Sequence, residues 1–223
     1  TAAAFVPASA SVPSRRLSAR QFGAAGDGAT DDTAPLQRAL DATFLQGGTI
    51  LDIPPGDYRV TRPLRVVFSR DTTGNLARQC GIQARGARLV SEITGGQDVL
   101  HLVSNATVRF LVLDGLAILG RGREGRGLVL ECDRHGAYLY NVCLRDIVVE
   151  GCGGDGGLMI GNVFESQIFN SYFRDNHGSG FVFSHGPNGG ILSAIHVFGC
   201  VFGQNREQGA SLARGCYDVS FNG

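Results

Sequence analysis

The 223-residue sequence contains no lysine and no tryptophan, and only one methionine. All 20 of its basic residues are therefore arginine. A Schiff-base lysine, a lysine general base and the lysine of a phosphate-binding loop are excluded with it. Net charge is also missing, because 20 acidic residues balance the 20 basic ones. A nucleic-acid groove needs a basic excess, so no nucleic-acid partner is expected. No apolar run approaches the length of a membrane-spanning helix. No Cys-x-x-Cys pair occurs and no His sits at zinc-ligand spacing, and no acidic cluster marks a calcium site. Neither a metal nor a cofactor is expected.

Glycine is what the chain has in excess. Its 33 glycines are about twice the usual share. They follow no three-residue period, which excludes a collagen triple helix. The hydrophobic fraction of 43% supplies one large core, and the length fits a single all-β domain as well as two small ones. The six cysteines are Cys80, Cys132, Cys143, Cys152, Cys200 and Cys216. Most lie within apolar runs, so buried thiols are expected rather than a disulfide framework.

Residues 1–20 are rich in Ala, Ser and Pro, which reads as a flexible leader. Arg15-Arg16 matches the arginine pair of an export signal, but the apolar stretch such a signal needs does not follow. The expectation is the start of a mature exported chain: secreted, periplasmic or at the cell surface. Thr30, Asp31 and Asp32 then supply helix N-cap candidates, and Pro35 falls in the first turn. Leu36, Ala39, Leu40, Thr43 and Phe44 recur at helical spacing, and Gly47-Gly48 stops the pattern. One amphipathic helix is predicted over about 33–46. Thr49 to Ile53, a Pro54-Pro55-Gly56 turn and Asp57 to Val60 read as strand, turn, strand.

These residues carry a resemblance. Gln21-Phe22-Gly23-Ala24-Ala25-Gly26-Asp27-Gly28-Ala29-Thr30-Asp31-Asp32-Thr33 precedes Leu36-Gln37-Arg38-Ala39-Leu40, and Gly47-Gly48-Thr49 leads to Ile53-Pro54-Pro55-Gly56-Asp57-Tyr58. The pattern resembles the N-terminal signature of the pectate-lyase-like superfamily. That superfamily includes polysaccharide lyases, polygalacturonase-type hydrolases, alginate epimerases and phage tailspikes. The resemblance implies an all-β fold: a right-handed parallel β-helix, or solenoid, with an N-terminal capping α-helix. It would fill 21–223 as a single domain. In those families this region caps the fold, so Asp27, Asp31 and Asp32 are expected in cap and turn roles.

A repeat supports the same fold independently. Gly127, Gly157, Gly180 and Gly209 each open a short triplet: Leu128-Val129-Leu130, Leu158-Met159-Ile160, Phe181-Val182-Phe183 and Ala210-Ser211-Leu212. Leu100-His101-Leu102 is an earlier member. A second series is Val149, Phe173 and Phe202, with Cys152, Asn176 and Asn205 three residues after each. Repeats of this length built from short strands and Gly/Asn turns indicate a solenoid. Asn176 and Asn205 are expected to stack as a ladder, from which Cys152 departs. The chain ends at Gly223 just after Tyr217-Asp218-Val219-Ser220-Phe221 begins another coil. The expectation is a β-helix truncated at its C-terminus, or an open end covered by another subunit.

Side chains alternate in and out along each triplet. His101, Val129, Met159, Val182 and Ser211 are predicted to form an outward column. Five residues after each glycine stand Cys132, Asn162, His185 and Arg214. Asp133 and His135 follow the first of these, so Asp133, His135, His185 and Arg214 are placed on one edge of the solenoid. Their types suit an acidic sugar: Arg neutralises a uronate carboxylate, while His and Asp carry protons. Asp155 and Asp175 lie in loops of adjacent coils, and two carboxylates across a groove would suit a glycosidase. The Asp-Pro-His tract of the epimerases and the Gly-His-Gly motif of the polygalacturonases are not found here. No catalytic residue is therefore carried over from the resemblance.

Two readings follow. The first is an exported carbohydrate-active enzyme cleaving a polysaccharide, as a lyase or a glycoside hydrolase. The second is a non-catalytic glycan-binding or structural β-helix, adhesin-like or tailspike-like. The apolar outward column fits a subunit interface, so the second reading carries a homo-oligomer with it.

Overall fold

The computed structural model describes residues 15–44, 48–68 and 80–223. They are nearly all β, with one α-helix, Thr33–Phe44. The strands form three sheets, one of ten strands and two of six, and every pairing is parallel. The chain visits the three sheets in turn. Thr49–Asp52 lies in the first sheet, Gly56–Val60 in the second and Leu64–Phe68 in the third. Cys80–Gln83, Ala87–Ser91 and Leu100–Ser104 repeat that order one level on. The order recurs up to Cys216–Asn222 in the first sheet. The Pro54-Pro55-Gly56 turn is thus a corner between sheets.

The alternate residues of these strands point inward and fill one core. Leu111, Leu113, Leu128, Leu130, Leu144, Ile168, Phe181 and Phe183 are all fully buried in it. Phe173 meets Phe181 edge-on at 4.9 Å and stacks on Phe202 at 5.7 Å. All six cysteines are free thiols. Cys80, Cys132 and Cys152 are buried, whereas Cys143, Cys200 and Cys216 are half-buried. Burial pushes the Cys80 thiol up to about 11 and Cys132 up to about 12, so neither serves as a nucleophile.

The helix forms where the apolar spacing placed it. Leu36, Ala39, Leu40, Thr43 and Phe44 are buried, and Phe44 meets Phe68 edge-on at 5.1 Å. The three acidic residues before it divide the capping work. Asp31 accepts the Thr33 N–H at 3.0 Å, at the helix start. Asp32 is fully buried and accepts the N–H groups of Ala25 (2.6 Å) and Gly26 (2.9 Å). Asp27 accepts the N–H groups of Ala29 and Thr30. Residues 45 and 46 of the expected helix lie outside the described residues. So do 1–14 of the expected leader, whose remainder is ordered: Arg15–Ser18 is a strand paired with Thr49–Asp52.

The predicted outward column needs a correction. Val129 pairs with Leu158, not Met159, and Leu158 pairs with Val182. The column is Arg65, His101, Val129, Leu158, Val182 and Ser211, and Met159 points inward and is fully buried. The cause is Gly156-Gly157. A Cβ on Gly157 would lie 2.5 Å from the Phe181 ring and 3.3 Å from Phe173, so Gly157 takes an inward position that a side chain cannot fill. Gly156 is therefore the glycine aligned with Gly127, Gly180 and Gly209. A slip of one residue exchanges the faces, and it likewise puts Gly161, not Asn162, beside Cys132.

The corner after the second sheet holds the predicted ladder. Asn176 Oδ1 accepts the Cys152 N–H at 3.0 Å, and Asn176 Nδ2 donates to Asn205 Oδ1 at 3.0 Å. Asn205 Nδ2 donates to the Phe173 carbonyl at 2.9 Å, as Asn176 Nδ2 does to Val149 at 3.4 Å. Cys152 ends the ladder. All nine non-glycine residues with positive φ also fall into columns. Phe110, Asn141, Glu165, Ala194 and Asp218 share one register position in the first sheet. Asp146 and Asn170 share the corner after it, and Asp175 and Gln204 the next corner.

Three measurements test this account. Asn176→Ala leaves the buried Cys152 N–H without its partner and removes the bonds to Asn205 and the Val149 carbonyl, and should lower unfolding free energy by about 2–4 kcal/mol in a denaturant titration. A loss within error would mean that the ladder does not hold the corner. At Ala194, left-handed backbone costs a non-glycine residue about 1–2 kcal/mol. Ala194→Gly should hold or raise the melting midpoint, and Ala194→Val should lower it; the reverse order would contradict the assigned φ. Asp27 is held at about 2, first by the Thr30 N–H and then by the Ala29 N–H. Asn170 holds Asp146 low. Depressed folded values stabilise above the ordinary carboxylate range and lose that stabilisation as protons bind. The midpoint should therefore stay level down to about pH 5 and fall between about pH 4 and 2.

Candidate functional site

The edge predicted from sequence lies where the chain passes from the third sheet to the first. Asp133 follows the strand Leu128–Cys132, His185 follows Phe181–Ser184, and Arg214 lies just beyond Ala210–Leu212. The loops touch. Asn188 reaches across the intervening level to Asp133, donating Nδ2 to its carbonyl (2.7 Å) and to its carboxylate (3.0 Å). The Asn188 N–H points at the same carboxylate at 3.3 Å. His185 Nδ1 contacts the Gly186 carbonyl, and Gly215 packs on the His185 Cβ. His135 and Arg214 are exposed and carry no hydrogen bond or ion pair. The edge thus contains two engaged residues, Asp133 and His185, and two free ones. Asn162 stands one position further on, where it donates to the Arg134 carbonyl at 3.4 Å and accepts the Ile191 N–H at 3.2 Å.

Asp155 and Asp175 are not brought together as a pair. Asp155 accepts the Ser179 N–H at 2.8 Å, beside which register places it. Asp175 is a left-handed corner residue with φ 57°, level with Gly151 and 3.8 Å from Arg174 Nε. His177 meets Arg206 at 2.9 Å, and His196 meets Ser220 at 2.7 Å.

The same loops lead directly onto the outer face of the first sheet, which the sequence reading missed. The segment after His135 runs into Tyr138 and Tyr140. Tyr140 pairs with Phe164 on one side and Arg109 on the other. Tyr140 and Phe164 stack at 5.3 Å and 27°, and Tyr138 lies 5.8 Å from Tyr140 and 6.1 Å from Phe164. The Arg109 guanidinium sits over the Tyr140 ring at 4.3 Å. The left-handed column comes next and bends each strand. At the bend is a cavity of about 220 Å³, lined by Phe110, Asn141, Cys143, Glu165 and Gln167 among others. Asn141 Nδ2 donates to Glu165 at 3.3 Å. Burial pushes the Cys143 thiol up. The signal available in the sequence was the Tyr-Leu-Tyr alternation at 138–140, but only register shows that Phe164 and Arg109 join it.

Beyond the cavity lies an ion network. Asp114 pairs with Arg145 at 2.6 Å and with Arg85 at 2.8 Å, and Arg85 also reaches Asp146 at 2.7 Å. A second cluster lies on the third sheet. His101 Nε2 meets Glu131 at 2.8 Å and Nδ1 lies 3.7 Å from Asp98, which Arg126 grips with a two-pronged contact. No group of three ligating side chains fit for a metal occurs among the described residues. No helix among them is long and apolar enough to cross a membrane.

Residues 17–108 match the family model described as rhamnogalacturonase A/epimerase, pectate lyase-like. Over 90% of its length the chain is 31% identical to the mannuronan C5-epimerase AlgE5 of Azotobacter vinelandii, of which it covers 23%. Over 75% of its length it is 29% identical to a KN3-capsule-specific depolymerase of Klebsiella phage KN3-1, of which it covers 19%. The chain therefore spans less than a quarter of either relative. Among solved structures, ORF18 of Geobacillus virus E2 superposes with a TM-score of 0.59 at 20% identity, covering 84% of this chain and 42% of that one. The signature at residues 21–58, the three parallel sheets visited in turn and these likenesses agree: the chain is similar to the pectate-lyase-like β-helix superfamily.

Proposed function

We propose that the chain is an exported, polysaccharide-acting β-helix. It is a right-handed solenoid capped by the helix Thr33–Phe44, and it cleaves an acidic or neutral polysaccharide by elimination or hydrolysis. The observation that carries this reading is the shelf of Tyr138, Tyr140 and Phe164, continuous with the edge that holds Asp133, His135, His185 and Arg214. Aromatic faces receive the C–H face of a sugar ring, and their tilted stack here offers a platform two levels wide. A polymer on the shelf passes the free His135 and Arg214. The imidazole carries a proton, and the guanidinium neutralises acidic substituents. Asp133, gripped by Asn188, holds the loop that presents His135. His185 holds the neighbouring loop against Gly215. The names of the relatives, a mannuronan epimerase and a capsule depolymerase, support a polysaccharide as the ligand.

The second reading, a non-catalytic glycan-binding module, is favoured by one observation. Asp133 and Asp155 are engaged in backbone contacts, and Asp175 lies against Arg174, so these candidates do not supply a pair of free carboxylates. Incubation with a polysaccharide panel separates the two. A rise in absorbance near the ultraviolet band of an unsaturated product, with new reducing ends, marks elimination; reducing ends alone mark hydrolysis. Glycan retention without either marks the binding module. On the shelf, Tyr140→Ala should weaken retention about tenfold. His135→Ala should leave retention intact and lower turnover at least tenfold. Unchanged turnover in His135→Ala would remove it from the chemistry.

A further inference from the structure

Arg109 is the one side chain on the shelf whose chemistry is unfinished. Its Nε is buried and has no hydrogen-bond partner. Its guanidinium meets the Tyr140 ring and no carboxylate. Arg59, Arg85, Arg88, Arg121, Arg126, Arg145 and Arg174 pair with acidic residues, whereas Arg109 is held by an aromatic ring instead. A buried N–H left unpaired costs free energy. The two Nη groups are not among the buried orphans, and their paired N–H bonds form a fork that matches the two oxygens of a carboxylate. Stacking on Tyr140 holds that fork flat at the end of the aromatic row. Glu165 lies beyond Phe164 on the far side and is bonded to Asn141, so it does not supply the missing acceptor.

We propose that Arg109 is the specificity residue of the shelf. It takes a carboxylate borne by a sugar whose ring lies against Tyr140 and Phe164. The proposal rests on the polysaccharide reading above and adds to it the charge of the substituent and the residue that selects it. A carboxylate on the sugar ring and a pendant one, such as a pyruvate ketal, share this chemistry.

The test uses the full chain and three probes: polygalacturonate, the same polymer after carboxyl reduction, and a pyruvylated but otherwise neutral polysaccharide. Affinity electrophoresis measures retention of the wild type, Arg109→Gln and Arg109→Lys, with circular dichroism to confirm folding. The wild type should prefer at least one carboxylate-bearing probe over the reduced polymer by about tenfold or more. Arg109→Gln should abolish that preference, bringing retention of the acidic probes down to that of the reduced polymer. Arg109→Lys, which keeps the charge but not the fork, should restore only part of it. Which acidic probe wins identifies the source of the carboxylate. Equal retention of acidic and reduced polymers by the wild type, or a preference that survives in Arg109→Gln, overturns the proposal and leaves the polysaccharide reading standing. No retention of any probe overturns both.

Discussion

Parallel stacking of one level on the next is the constraint from which the rest of this molecule follows. Adjacent strands sit about 4.8 Å apart. Whatever backbone conformation one level adopts, its neighbour must adopt the same or lose its hydrogen bonds. That is why unusual conformations come in columns. Phe110, Asn141, Glu165, Ala194 and Asp218 share a left-handed φ although their side chains have nothing in common. No local preference of phenylalanine or glutamate selects that geometry. The ladder on either side imposes it, and the bend it produces makes the cavity beside the aromatic shelf. Gly127, Gly156 and Gly180 obey the same rule in another way, since a Cβ on any of them would strike the neighbouring level.

The sequence was most informative where one residue type has one physical use. The helix at Thr33–Phe44 was legible from apolar spacing and its acidic caps. The Asn176–Asn205 ladder was legible because a buried asparagine at a repeated interval has few other purposes. The outward column was read one residue out of register at a single level. Two adjacent glycines offered two alignments, and only the Phe181 ring, supplied by the next level, decides between them. Asp133 and His185 lie on loops that touch through Gly186 and Asn188. The shelf was invisible because it draws Arg109, Tyr140 and Phe164 from three levels that share no local motif. The left-handed column was invisible because its residues are ordinary ones in a conformation imposed from outside.

The site candidates divide by their state of engagement. Asp133, Asp155 and Asp175 looked like chemistry by residue type, yet each is tied to its own corner or loop. His135, Arg214 and Arg109 are the groups left with capacity: Arg109 lies over Tyr140, while His135 and Arg214 stand in turns that lead into strands of the same sheet. A reading that begins from unsatisfied groups thus reaches a smaller set than one that begins from reactive residue types. It also places that set on the first sheet and the loops leading into it, whereas the third sheet carries His101 already bonded to Glu131.

The levels are not equally long. Cys152 and Asn176 are 24 residues apart, Asn176 and Asn205 are 29. The difference is spent at the turn into the first sheet, where Gly161-Asn162 is tight and its neighbours are loops. The Asp133–Asn188 contact is therefore a strap thrown over a low step. Loops joined that way cannot fluctuate separately: opening one drags the other, and the exposed imidazole of His135 moves with both. Insertions at the low step would part the strap before they disturbed any strand. The short level thus sets the stiffness of the rim, to which it adds the Asn162 side chain bonded to both neighbouring loops.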